Sequence, residues 1–310
     1  MKNTTFIINP AADRGRSARY ASRIRNVLGR HPQAVACKSE YAGHAFSLAR
    51  ESLERSRAVI ACGGDGTAHE IANVLAFSDV SLGILPVGSA NDFVKSLDHG
   101  FGRDCPLEAY FSGRTVLVDL GSVSTGSGFK RYFLNSCGVG LTGRIARKVR
   151  QSKWVRGELM YMHALLSVLL GYNSPKMHIK LDTPEGTIEL DEKVFAFSVG
   201  NGRIEGGKFH IAPEAKIDDG LLDVCILKDI PRARFFGFVL KYMKGEQIHD
   251  SRVLYTKAHA VEIEIRNPEV MHLDGEVFDN VNGKVRIESV PSSINVLCRA
   301  EEEHCGQKQR

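Results

Sequence analysis

Short apolar runs alternate with helix-like segments in the first third of the chain. Strands are predicted at three apolar runs: 6–8, 58–62 and 82–85. Helices are predicted at 17–28 and 67–75, and a further helical segment begins at 91–97. Gly29 ends the first of these helices. Strands that alternate with helices are typical of a parallel sheet with right-handed crossovers. The pattern therefore predicts a Rossmann-like α/β domain over residues 1–120.

From about residue 116 the pattern becomes rich in strands. Six are predicted: 116–120, 132–135, 194–199, 222–227, 261–266 and 284–290. Asp274-Gly275 and Asn282-Gly283 each lie between apolar positions, a strong short-range signal for a hairpin turn. Antiparallel pairing is therefore expected in a β-rich second domain over residues 121–291. The apolar run at 294–297 is compatible with either domain, so segment 292–310 is a candidate to return to the first.

Composition places the chain among soluble globular proteins and excludes disordered and fibrous ones. It has 310 residues, 43% hydrophobic and 25% charged, which is enough for two domains with their own cores. Seven cysteines, none closer than seven positions to the next, indicate neither a disulfide framework nor a Cys-x-x-Cys site. The first apolar run is too short for a signal peptide, and the longest, 159–172, is too short to span a membrane. We expect a cytoplasmic protein.

Basic residues are concentrated in two runs, although the net charge of +5 is mild. The first consists of Arg14, Arg16, Arg19, Arg23, Arg25 and Arg30. The second consists of Arg144, Arg147, Lys148, Arg150, Lys153 and Arg156, and it includes the single tryptophan, Trp154. Basic side chains are attracted to anionic bilayers and tryptophan favours the interface, so the runs predict peripheral membrane association. A solvated helix face is the alternative. Nucleic acid is not expected, because no aromatic platform or binding motif accompanies the charge.

A glycine-rich segment, Gly63-Gly64-Asp65-Gly66-Thr67, follows a predicted strand and opens a predicted helix. Small residues at such a junction let backbone N–H groups and the helix N-terminus approach an anion, which makes this segment a candidate phosphate cradle. It is not a P-loop, because the Lys-Ser/Thr ending is missing. The alternative is a tight turn in which Asp65 or Thr67 caps the helix.

A second strand end has similar chemistry. The predicted strand at 82–85 is followed by Gly88-Ser89-Ala90-Asn91-Asp92. Ligands of open α/β sheets bind at the carboxyl ends of parallel strands, so Asp65 and Asp92 are expected near one phosphate group. Two carboxylates there make sense if Mg²⁺ lies between them and the phosphate. The pair therefore favours a metal-bound nucleotide.

Gly138-Val139-Gly140-Leu141-Thr142-Gly143 matches the dinucleotide fingerprint and requires separate consideration. The nearest acid downstream is Glu158, fifteen residues after Gly143, and no βαβ alternation follows. The pattern therefore argues against a nicotinamide site.

Taken with further motifs, these residues resemble the diacylglycerol kinase catalytic-domain family, in particular its bacterial soluble lipid kinases, which are related to sphingosine and ceramide kinases. The further motifs are Asn9-Pro10, 118–121, 199–203, 211–223 and Leu273-Asp274-Gly275-Glu276. Gly-Gly-Asp-Gly-Thr alone is shared with NAD kinases and phosphofructokinases, but the combination is specific. The resemblance implies an ATP-dependent kinase of a lipid hydroxyl, with an N-terminal nucleotide domain and a C-terminal β-sandwich that bears the lipid.

The resemblance also implies roles for individual residues. The positions that contact ATP are Asn9, Ser39, Gly64, Asp65, Gly66, Thr67, Glu70, Gly88, Ser89 and Asn91. Those that organise the catalytic Mg²⁺, largely through water, are Asp65, Asp92 and Asp119. A structural Mg²⁺ would be bound by the side chain of Asp219 and the carbonyls of Lys216 and Leu221. Asp274 would be the catalytic base, with Glu276 beside it on the nucleotide side.

One departure from the family pattern concerns the first loop. After Asn9-Pro10 the family usually has a glycine-rich turn, whereas Asp13 occupies a position that is commonly glycine. For Asp274-Gly275 and Asp219-Gly220 the alternative is a plain turn, which is compatible with a functional role. Diacylglycerol is the expected substrate; a phosphatidylglycerol, a sphingoid base and a nucleotide-binding regulator without turnover are the alternatives. A homodimer is left open.

Overall fold

The structure, a computed structural model, describes residues 3–12, 18–151 and 158–300. Several residues singled out above lie outside the described residues: Asp13, Arg14, Arg16, Lys153, Trp154 and Arg156. The chain divides into two compact units. The first unit consists of residues 1–118 and 292–310, and the second consists of residues 119–291.

The first unit alternates strands and helices around a parallel sheet. Its elements are β1 (Asn3–Ile8), α1 (Ala18–Arg30), β2 (Ala34–Lys38), α2 (His44–Ser52), β3 (Ser56–Gly63), α3 (Asp65–Leu75), β4 (Ser81–Pro86), a 3-10 helix (Phe93–Ser96) and α4 (Ala109–Ser112). β1 pairs parallel with β2 and β3, and β3 pairs parallel with β4. The apolar residues of β3 and β4 are buried, as is usual for parallel strands covered on both faces. The carboxyl ends of β3 and β4 therefore meet at one edge.

The second unit is built on antiparallel strands. Two long strands cross the division between the units, β5 (Arg114–Thr125) and β13 (Glu276–Cys298). The others are β6 (Lys130–Phe133), β7 (Ser136–Val139), β8 (Lys176–Thr183), β9 (Gly186–Gly200), β10 (Leu222–Lys228), β11 (Val253–Ala258) and β12 (Ala260–Leu273). β9 pairs antiparallel with β7, β8 and β10, and β12 with β7, β8 and β13. The predicted change from an α/β region to a β-rich region is confirmed.

The described part of the second unit has three α-helices, α5 (Leu141–Gln151), α6 (Glu158–Leu169) and α7 (Arg232–Lys244), and a 3-10 helix (Glu246–His249). The inward residues of the α-helices share a core with β9 and β10, in which Leu165, Phe195 and Phe235 are buried. A separate apolar core lies among the strands and includes Phe197 and Ile263. Among the described residues, none of the helices has the length and hydropathy to cross a membrane.

The two predicted hairpin turns have different outcomes. Asp274 and Gly275, with φ of 50° and 86°, form the two-residue turn between β12 and β13, as predicted. Asn282-Gly283 is not a turn: Gly283, with φ of 72°, pairs with Ile265 inside the β12–β13 ladder. The register shifts just beyond that pair, so the positive φ serves a bulge and the strand continues.

Two other predicted elements differ at their ends. The 3-10 helix Phe93–Ser96 replaces the start of a regular helix at 91–97. The predicted strand at 132–135 is divided into β6 and β7, because Leu134 and Asn135 leave the ladder to bind the turn at Asp274. Leu134 and Asn135, which interrupt the strand, thus contact one of the candidate site residues.

Candidate active site

The carboxylate of Asp65 ties together two strand ends of the first unit. Asp65 begins α3 directly after β3, and its oxygens accept the backbone N–H groups of Asn91 (2.8 Å) and Asp92 (2.7 Å). Asn91, with φ of 53°, also exchanges hydrogen bonds between its side chain and the backbone of Gly88 (2.9 and 2.8 Å). The ends of β3 and β4 are therefore joined by backbone donors to one carboxylate, a contact that the sequence did not predict.

Gly64 and Gly88 approach each other at a separation that only glycine permits. A Cβ on Gly88 would lie 2.3 Å from Cα of Gly64, and a Cβ on Gly64 would lie 3.1 Å from Cα of Gly88. Both obstacles are backbone, so no side chain can turn aside to make room. At the start of α3 the N–H of Thr67 donates to the carbonyl of Gly64 (3.0 Å), whereas the N–H groups at the first two positions of a helix have no intrahelical carbonyl to bind. This glycine-lined edge therefore offers backbone donors to an anion.

Asn9 and Ser39 lie at the ends of the neighbouring strands. Asn9 Nδ2 donates a hydrogen bond to Thr67 Oγ1 (3.0 Å), which links the end of β1 to the first turn of α3. The buried Ser39 hydroxyl donates to the carbonyl of Ile8 (3.4 Å). These predicted nucleotide contacts are thus grouped around the strand ends of the first unit, and their contact with ATP stays a prediction.

Glu70 makes described contacts of a different kind. Its two carboxylate oxygens accept the backbone N–H groups of Gly43 (3.0 Å) and Phe46 (3.2 Å). These amides lie at the start of α2, where helical N–H groups need acceptors and negative charge is favourable. Glu70 therefore stabilises the start of α2, a role that the sequence did not indicate.

Asp92 adds a second buried carboxylate to this edge. It is 7% exposed and forms an ion pair with Lys95 (3.2 Å). No group of three metal-ligating side chains occurs in the part of the chain that the structure describes. Two carboxylates at one strand edge suit the preference of Mg²⁺ for carboxylate oxygens and water, and a role of Asp65 and Asp92 in holding the ion stays a prediction.

The carboxylate of Asp274 is the central feature of the second unit. It accepts three backbone N–H groups from the segment between β6 and β7: those of Leu134 (2.8 Å), Asn135 (2.8 Å) and Ser136 (3.0 Å). In return the N–H of Asp274 donates to the carbonyl of Ser136 (2.9 Å). Asp274 is only 9% exposed. The three donors fix the orientation of the carboxylate at the tip of the hairpin.

The sequence did not identify the residues that hold this segment in turn. Asn201 is fully buried, and its Nδ2 donates to the carbonyls of Leu134 (2.7 Å) and Asp119 (2.9 Å). The Ser136 hydroxyl donates to Glu205 Oε2 (3.0 Å). Asn201 belongs to one of the motifs that carry the family resemblance, and a buried amide that spans two carbonyls explains why an asparagine stands there. Nothing in the local pattern points to Glu205.

The hairpin that carries Asp274 is also held by arginines from α5. Three ion pairs connect them: Arg144 with Glu269, Arg147 with Asp279, and Arg150 with Glu276. Arg144 binds Glu269 with two hydrogen bonds (3.0 and 2.8 Å), and Glu269 is almost fully buried. Three of the basic residues predicted to face a membrane are thus paired with acids of their own unit. Glu276, which is expected to contact the nucleotide, forms an ion pair with Arg150, and its contact with the nucleotide stays a prediction.

Asp119 holds the loop at 216–221. Its carboxylate accepts the N–H of Gly220 (2.6 Å), and its own N–H donates to the carbonyl of Ile217 (2.7 Å). Asp119 is 1% exposed. Its described contacts therefore position this loop, and its place in a catalytic Mg²⁺ network stays a prediction.

Asp219 in this loop has a cationic partner within the chain. Its Oδ1 accepts the N–H of Leu221 (3.1 Å), and its Oδ2 is ion-paired with the ammonium of Lys257, which also lies 3.5 Å from Asp223 Oδ2. Burial raises the pKa of Asp223. Burial alone would lower the pKa of Lys257, but Asp219 and Asp223 outweigh it and raise the pKa. The Lys257 ammonium, shared by two carboxylates, therefore competes with any other cation at Asp219, and the structural Mg²⁺ at Lys216, Asp219 and Leu221 stays a prediction.

The fingerprint-like segment at 138–143 serves packing. β7 pairs antiparallel with β9 and β12, so the strand before α5 is not part of a βαβ unit. A Cβ on Gly143 would lie 2.1 Å from the carbonyl oxygen of Val270, and Gly140 has φ of 78°. The glycines therefore allow α5 to lie against β12.

Comparisons with known proteins identify the family. The sequence model of the diacylglycerol kinase catalytic domain matches residues 3–123, and that of the YegS C-terminal NAD kinase beta sandwich-like domain matches residues 135–298. The chain is 31% identical to the diacylglycerol kinase of Bacillus subtilis over 89% of its own length and 90% of that protein. The chain belongs to the diacylglycerol kinase catalytic-domain family. It is accordingly a lipid kinase, a phosphotransferase.

Other relatives and solved structures agree with this membership. A diacylglycerol kinase of Mycobacterium tuberculosis is 28% identical over 81% of this chain and 79% of its own. A crystal structure of a diacylglycerol kinase from Bacillus anthracis has a TM-score of 0.72 at 20% identity and covers 96% of this chain and 97% of that chain. An NAD kinase from Archaeoglobus fulgidus, solved in complex with ATP, has a TM-score of 0.54 at 14% identity and covers 96% and 94%. At these identities the two structures show a shared fold, with a β-sandwich as the C-terminal domain.

Proposed function

We propose that this lipid kinase transfers the γ-phosphoryl group of Mg-ATP to the hydroxyl of diacylglycerol, giving phosphatidic acid. The observation that carries the proposal is the buried carboxylate of Asp274, oriented by three backbone N–H groups at a hairpin tip. The substrate is proposed from the relatives at 28–31% identity that are named diacylglycerol kinase. The proposal includes a peripheral position at an anionic membrane surface.

The first unit supplies groups suited to bind the nucleotide phosphates. The backbone between Gly64 and Thr67 and the N-terminus of α3 present N–H donors at an edge kept open by the contact of Gly64 with Gly88. Asp65 fixes that edge by holding the loop after β4. Asp65 and Asp92 would hold Mg²⁺ through water molecules. When bound, the ion would neutralise charge on the phosphate oxygens.

The second unit supplies the group suited to the acceptor hydroxyl. The Asp274 carboxylate, held at the hairpin tip by three N–H donors, would accept a hydrogen bond from the acceptor hydroxyl. Phosphoryl transfer has a loose transition state, so the hydroxyl loses its proton late and a strong base is unnecessary. Asp274 would therefore orient the hydroxyl and take its proton as the new P–O bond forms. Orientation and electrostatic stabilisation would supply most of the rate.

The substrate is tested directly with labelled ATP. The protein is incubated with a panel of lipid alcohols in mixed micelles, and the phosphorylated product is identified. Phosphatidic acid is the expected product. Phosphorylation of a phosphatidylglycerol or a sphingoid base alone would replace diacylglycerol, and phosphorylation of no lipid would favour a nucleotide-binding regulator. One relative, from Yersinia enterocolitica, is named only "Probable lipid kinase YegS-like", so the panel must extend beyond diacylglycerol.

Asp274→Asn tests the role of the carboxylate. We expect kcat to fall by at least about 10²-fold, as for the loss of a positioned base, while ATP binding stays near that of the native protein. Asp191→Asn is the matched control, because Asp191 is a half-exposed carboxylate on β9 paired with Lys176. Circular dichroism verifies that both variants fold. Turnover by Asp274→Asn close to that of the native protein would remove the proposed mechanism.

A further inference from the structure

The outward face of α7 is apolar where a helix in water would be polar. Phe236, Leu240 and Met243 are 51%, 62% and 37% exposed. They follow one another at i, i+4 and i+7, so they form one stripe along the helix. The opposite side is buried in the core through Phe235 and Val239. Among the described residues of this unit, none covers the outer apolar stripe of α7, which therefore faces outward.

The apolar stripe continues onto the end of α6. Leu166 and Leu170 are 42% and 83% exposed and are four residues apart, with Met162 (36%) one turn earlier. The side chain of Arg232, the first residue of α7, donates to the carbonyl of Leu170 (2.9 Å) and to that of Tyr172 (2.6 Å). The end of α6 and the start of α7 are thus in contact. We call Met162, Leu166, Leu170, Phe236, Leu240 and Met243 the α6–α7 face.

The charge beside this face is positive. α7 contains four basic residues and no acid: Arg232, Arg234, Lys241 and Lys244. Of the described residues, none forms an ion pair with Arg234, and Lys244 lies 4.0 Å from its acidic neighbour Glu246. Lys241 is ion-paired with the buried Asp250 (2.7 Å) and Arg232 donates to backbone carbonyls, so Arg234 and Lys244 are the cations of α7 that remain available. Cations that remain available beside exposed apolar side chains match an anionic lipid surface, where the two attractions act together.

We propose that the α6–α7 face docks on an anionic bilayer, with its apolar side chains in the interfacial region and Arg234 and Lys244 of α7 against the lipid headgroups. The inference rests on the proposed function in that a kinase of diacylglycerol takes its substrate from a membrane. It assigns the contact to residues other than the two basic runs. A helix of this length, about 20 Å, lies in the plane of the interface rather than across it.

A second copy of the chain is the competing occupant of the face. The basic residues decide between the two, because a symmetric contact would bring the positive charges of two α7 helices together. Like charges at an interface oppose association, whereas anionic headgroups attract them. The lipid surface is therefore the occupant to which the charges point.

The test measures binding of the full-length protein to vesicles of phosphatidylcholine, alone or with phosphatidylglycerol. Phe236→Gln/Leu240→Gln removes two of the most exposed apolar side chains and keeps good helix formers. We expect it to lower affinity at least about tenfold at every salt concentration. Arg234→Gln/Lys244→Gln should lower affinity only at low salt, since at about 1 M salt the Debye length falls to about 3 Å. Leu117→Gln, a leucine on β5 that is 54% exposed, is the control.

Two further measurements separate docking from folding and catalysis. The α7 variants should keep the native melting temperature and should phosphorylate a short-chain soluble diacylglycerol at the native rate. Unchanged vesicle affinity in the Phe236→Gln/Leu240→Gln variant would overturn the inference, as would equal loss on soluble and bilayer substrates. A native dimer that this variant makes monomeric, without vesicle binding, would assign the face to a second copy. Vesicle binding through the face without phosphorylation of any lipid would refute the proposed function alone.

Discussion

Replacement of Lys257 tests how the loop at 216–221 is held. Lys257→Met keeps the aliphatic stem and removes the ammonium, which leaves Asp219 and the fully buried Asp223 without their shared cation. Breaking a buried ion pair costs about 3–5 kcal/mol, and an exposed one about 0–1 kcal/mol. Lys257 and Asp219 are 29% and 23% exposed. We therefore expect an intermediate loss of about 2 kcal/mol, or roughly 4 to 8 °C in the melting temperature of a unit of this size.

The assay is thermal unfolding without nucleotide, in EDTA or in added MgCl₂. The native protein should melt at the same temperature in both. Lys257→Met should melt higher with Mg²⁺, because the two carboxylates would then be free to bind it and a ligand of the native state stabilises by mass action. Lys180→Met, at an exposed lysine of β8, is the control. Native melting that falls in EDTA, and that no longer responds in Asp219→Asn, would show that a divalent ion holds the loop and would refute the reasoning.

Two further predictions concern backbone contact and pH. Gly88→Ala should raise the KM for ATP at least about tenfold and lower stability by about 1–3 kcal/mol, because its Cβ would lie 2.3 Å from Cα of Gly64. Gly102→Ala is the control, because its Cβ meets no atom within 4 Å, and it should melt like the native protein. A Gly88→Ala variant with the native KM and melting temperature would contradict the contact. Hydrogen bonds from Arg252 and Lys241 hold the pKa of Asp250 below its ordinary value of 3.8, so the stability that this carboxylate contributes is complete above pH 3.8 and is lost as the pH falls below it. Asp250→Asn should therefore melt lower than the native protein at pH 7, with the difference shrinking as the pH falls below 3.8; a difference as large at pH 2 as at pH 7 would contradict this sign.

The elements that sequence predicted well are those whose signal is local. Apolar runs gave β3 and β4, because strands buried on both faces read as continuous apolar sequence. The Asp-Gly turn at 274–275 was predictable from two residues, but the same reasoning failed at Asn282-Gly283. In both segments the glycine has a positive φ, which a bulge and a turn both require. Only the residue paired across the ladder, Ile265 for Gly283, distinguishes the bulge from a turn.

The site was predictable in its residues but not in its contacts. Asp65 and Asp92 could be assigned to neighbouring strand ends, because parallel strands align their carboxyl ends. The donors to Asp274 lie about 140 positions away in sequence, in a segment that resembled the end of a strand. The partners of Glu70 and Asp219 could not be predicted either. A side chain in or near a motif can bind the N–H groups at the start of a helix, or form an ion pair, instead of contacting a ligand.

Asp65 and Asp274 use one physical device in two different folds. Each carboxylate stands beside a glycine and accepts two or three backbone N–H groups from a segment distant in sequence. Every residue type except proline supplies the same backbone N–H donor, so these contacts place no demand on the side chains of the segment that donates. They do require an aspartate as the acceptor. An asparagine there would turn an N–H₂ group toward N–H donors and leave at least one of them without an acceptor. The constraint on such a site therefore falls on the aspartates and on the glycines that shape the backbone around them, which are the residues that the family motifs contain.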